Sequence, residues 1–187
     1  MRKILKITGI YLLLIILDFS CAPPEHVLIN GIEFNSATIK DRKDQREFNN
    51  YVETSVFKND IVFIISENLE TVASLNLRLT EKCYATTFAK TYDNSILEES
   101  FSLKLNKDFT YGNVLISANQ NLFEIPEIRN QISIFQTNQS FGDKIIEFSH
   151  SFINDAIFSN EVYQVEFECK TTDNRLFNKV IEVKFEN

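Results

Sequence analysis

The sequence predicts an all-β fold: an antiparallel immunoglobulin-like β-sandwich of about seven or eight strands with a short helical insertion, preceded by an N-terminal signal helix. Three observations predict it. Past residue 26 the apolar residues mostly alternate with polar ones, the period of a strand with one buried face. No strand–helix–strand rhythm interrupts that pattern, which argues against a parallel sheet. The 167 residues left after the leader are one domain's worth, enough to bury on the order of 70% of the unfolded surface without a metal or disulfide lattice. A partly closed barrel is the alternative architecture.

Each element has its own signal. His26 to Phe34 reads as a first strand around Val27 and Ile29, with Asn30-Gly31 a candidate bulge or turn. Ser36 to Asn50 is dense in charge and reads as a solvated loop or short helix. The run Ile61-Val62-Phe63-Ile64-Ile65 suits a central strand covered on both faces. Leu75, Leu77 and Leu79 share one parity that continues to Cys83, and Phe101, Leu103 and Leu105 share another. Asn113 to Ser117 and Lys144 to Ser149 are shorter strand candidates. Between them Ile125-Pro126-Glu127 reads as a helix start, with Ile128, Ile132 and Phe135 on one face. The chain closes on a hairpin. Tyr163, Val165, Phe167 and Cys169 face inward, Thr172 to Arg175 turns, and Ile181, Val183 and Phe185 face inward on the return.

The N-terminus carries the address. Arg2, Lys3 and Lys6 precede an uncharged stretch, Gly9 to Leu17, that stops at Asp18. That is well short of the roughly 20 residues a membrane-spanning helix needs, and it fits the apolar region of an export signal. Ser20-Cys21 is similar to the end of a bacterial lipobox, in which the cysteine is lipidated and the leader is cut before it. Asp18 and Phe19 depart from the usual Leu and small residue, and the Phe-Ser-Cys ending is similar to the looser signals of Bacteroidetes-type lipoproteins. The organisation expected is a signal peptide over 1–20, a lipidated tether over 21–25 and the β-sandwich over 26–187. The alternative is an ordinary secreted protein cut near Pro23. Loss of 1–20 removes Arg2, Lys3, Lys6 and Asp18, taking the formal charge from −7 to −9. So acidic a chain is repelled by nucleic-acid phosphates and anionic headgroups, so no nucleic-acid partner is expected.

The order of features resembles a family of uncharacterised Bacteroidetes-type lipoproteins. The shared elements are the lipid-type cysteine, Ile29-Asn30-Gly31, a Leu-rich strand leading to Cys83-Tyr84-Ala85, Asn106-Lys107-Asp108-Phe109, Asn121-Leu122-Phe123 and a terminal hairpin. Where that family commonly has Asp-Gly in the last turn, this chain has Asp173-Asn174, which still tolerates left-handed geometry. The resemblance implies a single β-sandwich domain and an envelope location, and no chemistry. Ala22-Pro23-Pro24-Glu25 lacks the acidic cluster that resembles a surface-export tag, so an outer-membrane lipoprotein facing the periplasm is the location expected.

Few residues are candidates for chemistry. With Cys21 lipidated, Cys83 and Cys169 remain in an oxidising compartment. A disulfide between them would close 85 residues and stabilise by roughly 4 kcal/mol through loop entropy. The alternative is two separate buried thiols. His26, beside the tether, and His150, at a strand end, are the only histidines, and no Gly-x-Ser-x-Gly accompanies either. These spacings suit neither zinc nor any other metal or cofactor. Glu98-Glu99 and Glu166 with Glu168 could do acid–base work, although the second pair reads as the solvent side of a strand. Asp93-Asn94-Ser95 and Asp173-Asn174 read as turns before calcium ligands. Tyr84, Tyr92 and Tyr111 could form an aromatic platform for a glycan, a role the absence of Trp weakens. The expected function is therefore a lipid-anchored, non-catalytic binding or structural module. A glycan- or peptide-binding accessory protein, and a small carboxylate-dependent envelope hydrolase, are the alternatives.

Overall fold

The computed structural model describes residues 25–39, 48–49, 55–57, 61–72, 90–136 and 143–186. In chain order the strands are β1 (Glu25–Ile39), β2 (Phe48–Asn49), β3 (Ser55–Phe57), β4 (Ile61–Thr71), β5 (Lys90–Tyr92), β6 (Ile96–Leu105), β7 (Phe109–Tyr111) and β8 (Val114–Ile116). A 3-10 turn (Leu122–Glu124) and helix α1 (Pro126–Arg129) lead to β9 (Ile132–Gln136) and β10 (Lys144–Phe148). Helix α2 (His150–Asp155) precedes β11 (Ala156–Ile157), β12 (Val162–Thr171) and β13 (Leu176–Glu186). Among the described residues no helix is long and apolar enough to cross a membrane. The leader, Cys21 and the Leu75–Cys83 strand candidate lie outside the described residues.

The chain divides into two compact units, Met1–Leu28 with Leu69–Asp93 and Ile29–Asn68 with Asn94–Asn187. In the smaller unit, the first residues of β1 pair in parallel with β5, His26 opposite Thr91. Val72 N–H donates to the His26 carbonyl at 2.8 Å, and Asp93 N–H to that of Val27 at 2.9 Å.

The larger unit is a sandwich of antiparallel sheets. One sheet runs β2-β1-β4-β10-β9 and the other β3-β13-β12-β6, with the short β13–β3 pair parallel. A third, small sheet runs β11-β7-β8. Ile61 to Ile65 of β4 are all buried, and β4 lies between β1 and β10, as a doubly covered run requires. Phe34 of β1 stacks on Phe63 at 5.4 Å and on Phe167 of β12 at 5.1 Å, which ties one sheet to the other. The closing hairpin follows its parity: Tyr163, Val165, Phe167, Cys169 and Val183 are fully buried and Phe185 nearly so. Asn174 takes φ 65° in its turn, a left-handed conformation that Asn tolerates.

Three expectations need correction. Ser36 to Ile39 are neither loop nor helix. β1 runs on through them, with Ser36 on the buried parity of Ile32 and Phe34, and Ala37 packed with Val62, Ile64 and Ile145 on the other face. The predicted helix starts at Pro126 but ends at Arg129. Ile132 and Phe135 belong to β9, because five residues there pair with β10 and the ladder outweighs a single helical turn. Finally, the strand at Lys144 stops at Phe148, and Ser149 caps α2, its hydroxyl accepting the Phe152 N–H at 3.1 Å.

Candidate functional site

The larger unit carries an open cleft of about 1300 Å3 along β6. Its floor is the outer face of β6 and β12, where Ser102 stands opposite Glu168 and Lys104 opposite Glu166. One wall is a bulge in β6. The register with β12 jumps so that Ser102 faces Glu168 while Leu97 faces Lys170, leaving Glu98 to Phe101 outside the regular ladder. Ser100 fills the gap. Its hydroxyl donates to the Leu97 carbonyl at 2.6 Å and accepts the Lys170 N–H at 2.8 Å. Extruded by the bulge, Glu98 reaches Lys144 of β10 at 2.5 Å, and Glu99 stands exposed at the rim.

The opposite wall is the segment from Asn119 through α1, followed by Ile132 and Ile134 of β9. Asn121 holds it against β6. Its side-chain oxygen accepts the Leu103 N–H at 3.1 Å and the Phe123 N–H at 3.2 Å, and its amide donates to Glu124 at 3.0 Å. Asn119 N–H donates to the Leu105 carbonyl at 2.7 Å. Phe123 is half-buried and meets Phe101 in a T-shaped contact with centroids 6.1 Å apart. Of the charged lining residues, Glu98 is paired with Lys144, Glu124 is held by Asn121, and Lys104 lies 4.0 Å from Glu166. The side chains of Glu99, Arg129, Glu168 and Lys170 have no hydrogen-bonded or ion-paired partner among the described residues. Two acids and two cations thus stand unengaged in one depression.

The carboxylates named from sequence fall around this cleft. Glu98, Glu99 and Glu168 line it, whereas Glu166 is occupied by Asn178 and Lys104. Cys169 does not line the cleft. Cys169 is a free, fully buried thiol on the core side of β12, and burial, then the charges of Glu67 and Glu168, push it up to about 12. Cys21 and Cys83 lie outside the described residues. Of the tyrosines, Tyr84 also lies outside them. Tyr92 is exposed in the smaller unit, and Tyr111 packs against Phe152 at 5.1 Å in the larger. Neither Tyr92 nor Tyr111 lines the cleft.

His26 stands in β1, as the strand expected from His26 to Phe34 requires, with its Nδ1 3.0 Å from Asp93. His150 is the exposed first residue of α2. Asn94 and Asp173, flagged as turn residues, join one polar knot. Asn94 accepts the Ile29 N–H at 2.7 Å and donates to Asp173 at 3.2 Å, and the Thr171 hydroxyl donates to Asp173. The Thr171 bond is the main cause that holds the Asp173 carboxyl below its usual range. This knot fastens the last turn and leaves no vacant ligand set. Among the described residues, no three His, Cys, Asp or Glu side chains are placed to hold a metal ion.

The cleft is not legible in the sequence, because its walls depend on the β6 bulge and on a loop crossing to β9. A partial signal existed in Asn121, which precedes Leu122-Phe123-Glu124 with the spacing of a capping residue and an acid three positions on. No family model, curated protein or solved structure matches the chain.

Proposed function

We propose that the chain is a cell-envelope lipoprotein, anchored through Cys21 to the periplasmic side of the outer membrane, whose β-sandwich is a non-catalytic binding module with the cleft along β6 as its site. The observation that carries the binding reading is the set of unengaged side chains of both signs, Glu99, Arg129, Glu168 and Lys170, around one depression. Polar groups left without internal partners on a rigid frame are available to a ligand at little cost in reorganisation. Catalysis is the weaker reading. The cleft is open, and acid–base chemistry gains most where water is excluded and fixed dipoles replace it. Two of the four lining carboxylates are also already engaged by Lys144 and Asn121.

The anchor is supported by the leader alone, and Cys21→Ser tests it. The expected result is an unprocessed or soluble product, while unchanged membrane fractionation and processing would contradict the anchor. Binding is tested by thermal shift of the full chain in detergent against envelope-type glycans and peptides. A ligand at a hundred times its Kd adds about 2.7 kcal/mol to the folded state, a readable rise in Tm. The rise is expected to shrink in Glu168→Gln. Turnover of the bound compound would instead favour the hydrolase, with Glu99 and Glu168 as its acids.

A further inference from the structure

We infer that the ligand of this cleft is a neutral oligosaccharide, held by side chains and resting on Phe123; the inference stands on the binding-module reading above. Four features of the cleft lead to it. First, a peptide joining the sheet would need vacant backbone groups along β6, the outermost strand of its sheet among the described residues. Two of those beside the cleft are already taken. Leu103 N–H is bonded to Asn121, the Leu105 carbonyl to Asn119, and the ladder gap at the bulge is closed by Ser100. A continuous backbone ladder is thus interrupted there, which favours recognition by side chains.

Second, the unengaged charges sum to zero: Glu99 and Glu168 against Arg129 and Lys170. A strongly anionic or cationic ligand would meet as much repulsion as attraction. Sugar hydroxyls donate to carboxylates and accept from Lys and Arg, so a neutral polyol satisfies both signs. Third, Phe123 is held by Phe101 and by the Asn121 bond to its backbone, yet is only half-buried and lines the cleft. An aromatic side chain so held offers an apolar patch for the C–H face of a sugar ring. Fourth, the cleft's 1300 Å3 exceeds the roughly 300–1,000 Å3 of small-molecule pockets, which suits several linked units rather than one.

The test is calorimetric titration of the full chain in detergent with neutral tetrasaccharides (cello-, malto-, chito- and mannotetraose) and, in parallel, with a library of zwitterionic decapeptides. The expected result is binding of at least one tetrasaccharide, weakened about tenfold or more in Phe123→Ala and in Glu168→Gln. Arg129→Gln, on an exposed side chain, is the variant that keeps the test decisive if Phe123→Ala fails to fold. Peptide binding that is lost in the same variants, with no tetrasaccharide bound, would overturn the sugar inference and leave the binding module standing. Tetrasaccharide binding indifferent to all three variants would place the sugar elsewhere and overturn the inference. No binding of either class would overturn the inference and the binding module together.

Discussion

Cys169 shows how one side chain reads its surroundings. The thiol lies on the core face of β12, and burial above all disfavours its ionised form. The folded protein keeps this proton up to about pH 12, while an unfolded thiol releases it near 9.0. Between those values the unfolded state binds fewer protons, so stability is fully present below about pH 9 and falls as pH rises. The slope is at most about 1.4 kcal/mol per pH unit. Urea midpoints of the wild type and of Cys169→Ala, measured at pH 7 and pH 10, check this. The variant is less stable at pH 7 because it leaves a cavity, and the gap is expected to narrow at pH 10. An unchanged gap would contradict the shift. In the folded protein at pH 8 the same thiol is expected to resist iodoacetamide, as measured by mass of the intact chain.

At the scale of elements, the Asn121 turn and the β6 bulge shape the cleft. Asn121 caps the 3-10 turn and satisfies an edge N–H of β6 with one oxygen, so its loss leaves two backbone donors without that acceptor. Asn121→Ala is expected to cost about 1–2 kcal/mol by urea denaturation. It should also weaken ligand binding, because the wall carrying Phe123 loosens. A variant as stable as the wild type would show that the turn is held by packing alone. The elements divide sharply in how legible they were. Alternation marked β12, the second half of β6 and the end of β13, where Tyr163 to Cys169, Phe101 to Leu105, and Val183 with Phe185 bury their apolar parity, and the run from Ile61 to Ile65 marked β4 for the opposite reason. β9 was hidden, since Ile128, Ile132 and Phe135 match a helical face as well as strand positions, and pairing with β10 settles the matter. The β7–β8 hairpin carries a local signal in the sequence. Tyr111 pairs with Val114 across Gly112-Asn113, and Gly112 has φ 59°, the signature of a two-residue turn.

Across the larger unit, phenylalanine is the main building material. Ring contacts lead from Phe123 through Phe101, Phe167, Phe34, Phe63 and Phe148 to Phe152, each neighbouring pair with centroids no more than 6.2 Å apart. A second group, Phe109, Phe158, Tyr163 and Phe185, joins it through Phe109 and Phe152. Ten of the seventeen Phe, in a chain without Trp, thus have a structural use, because the flat ring fills the space between two twisted sheets without a buried N–H to satisfy. Phe167 is the junction, touching Phe34 on the facing sheet and Phe101 beside it. Phe167→Ala is expected to cost about 3–5 kcal/mol, read as a lower urea midpoint. A loss under about 1 kcal/mol would mean that the sheets are held together elsewhere.

The cleft along β6 is proposed as the place where this module meets its ligand. Amide hydrogen exchange of the full chain, with and without the tetrasaccharide it binds most tightly, tests that claim directly. The account predicts slowed exchange in 98–104, 119–125 and 168–170, the segments that line the cleft, with 109–116 unchanged. Protection confined to 109–116 or to 90–93, with the cleft segments exchanging as before, would contradict it.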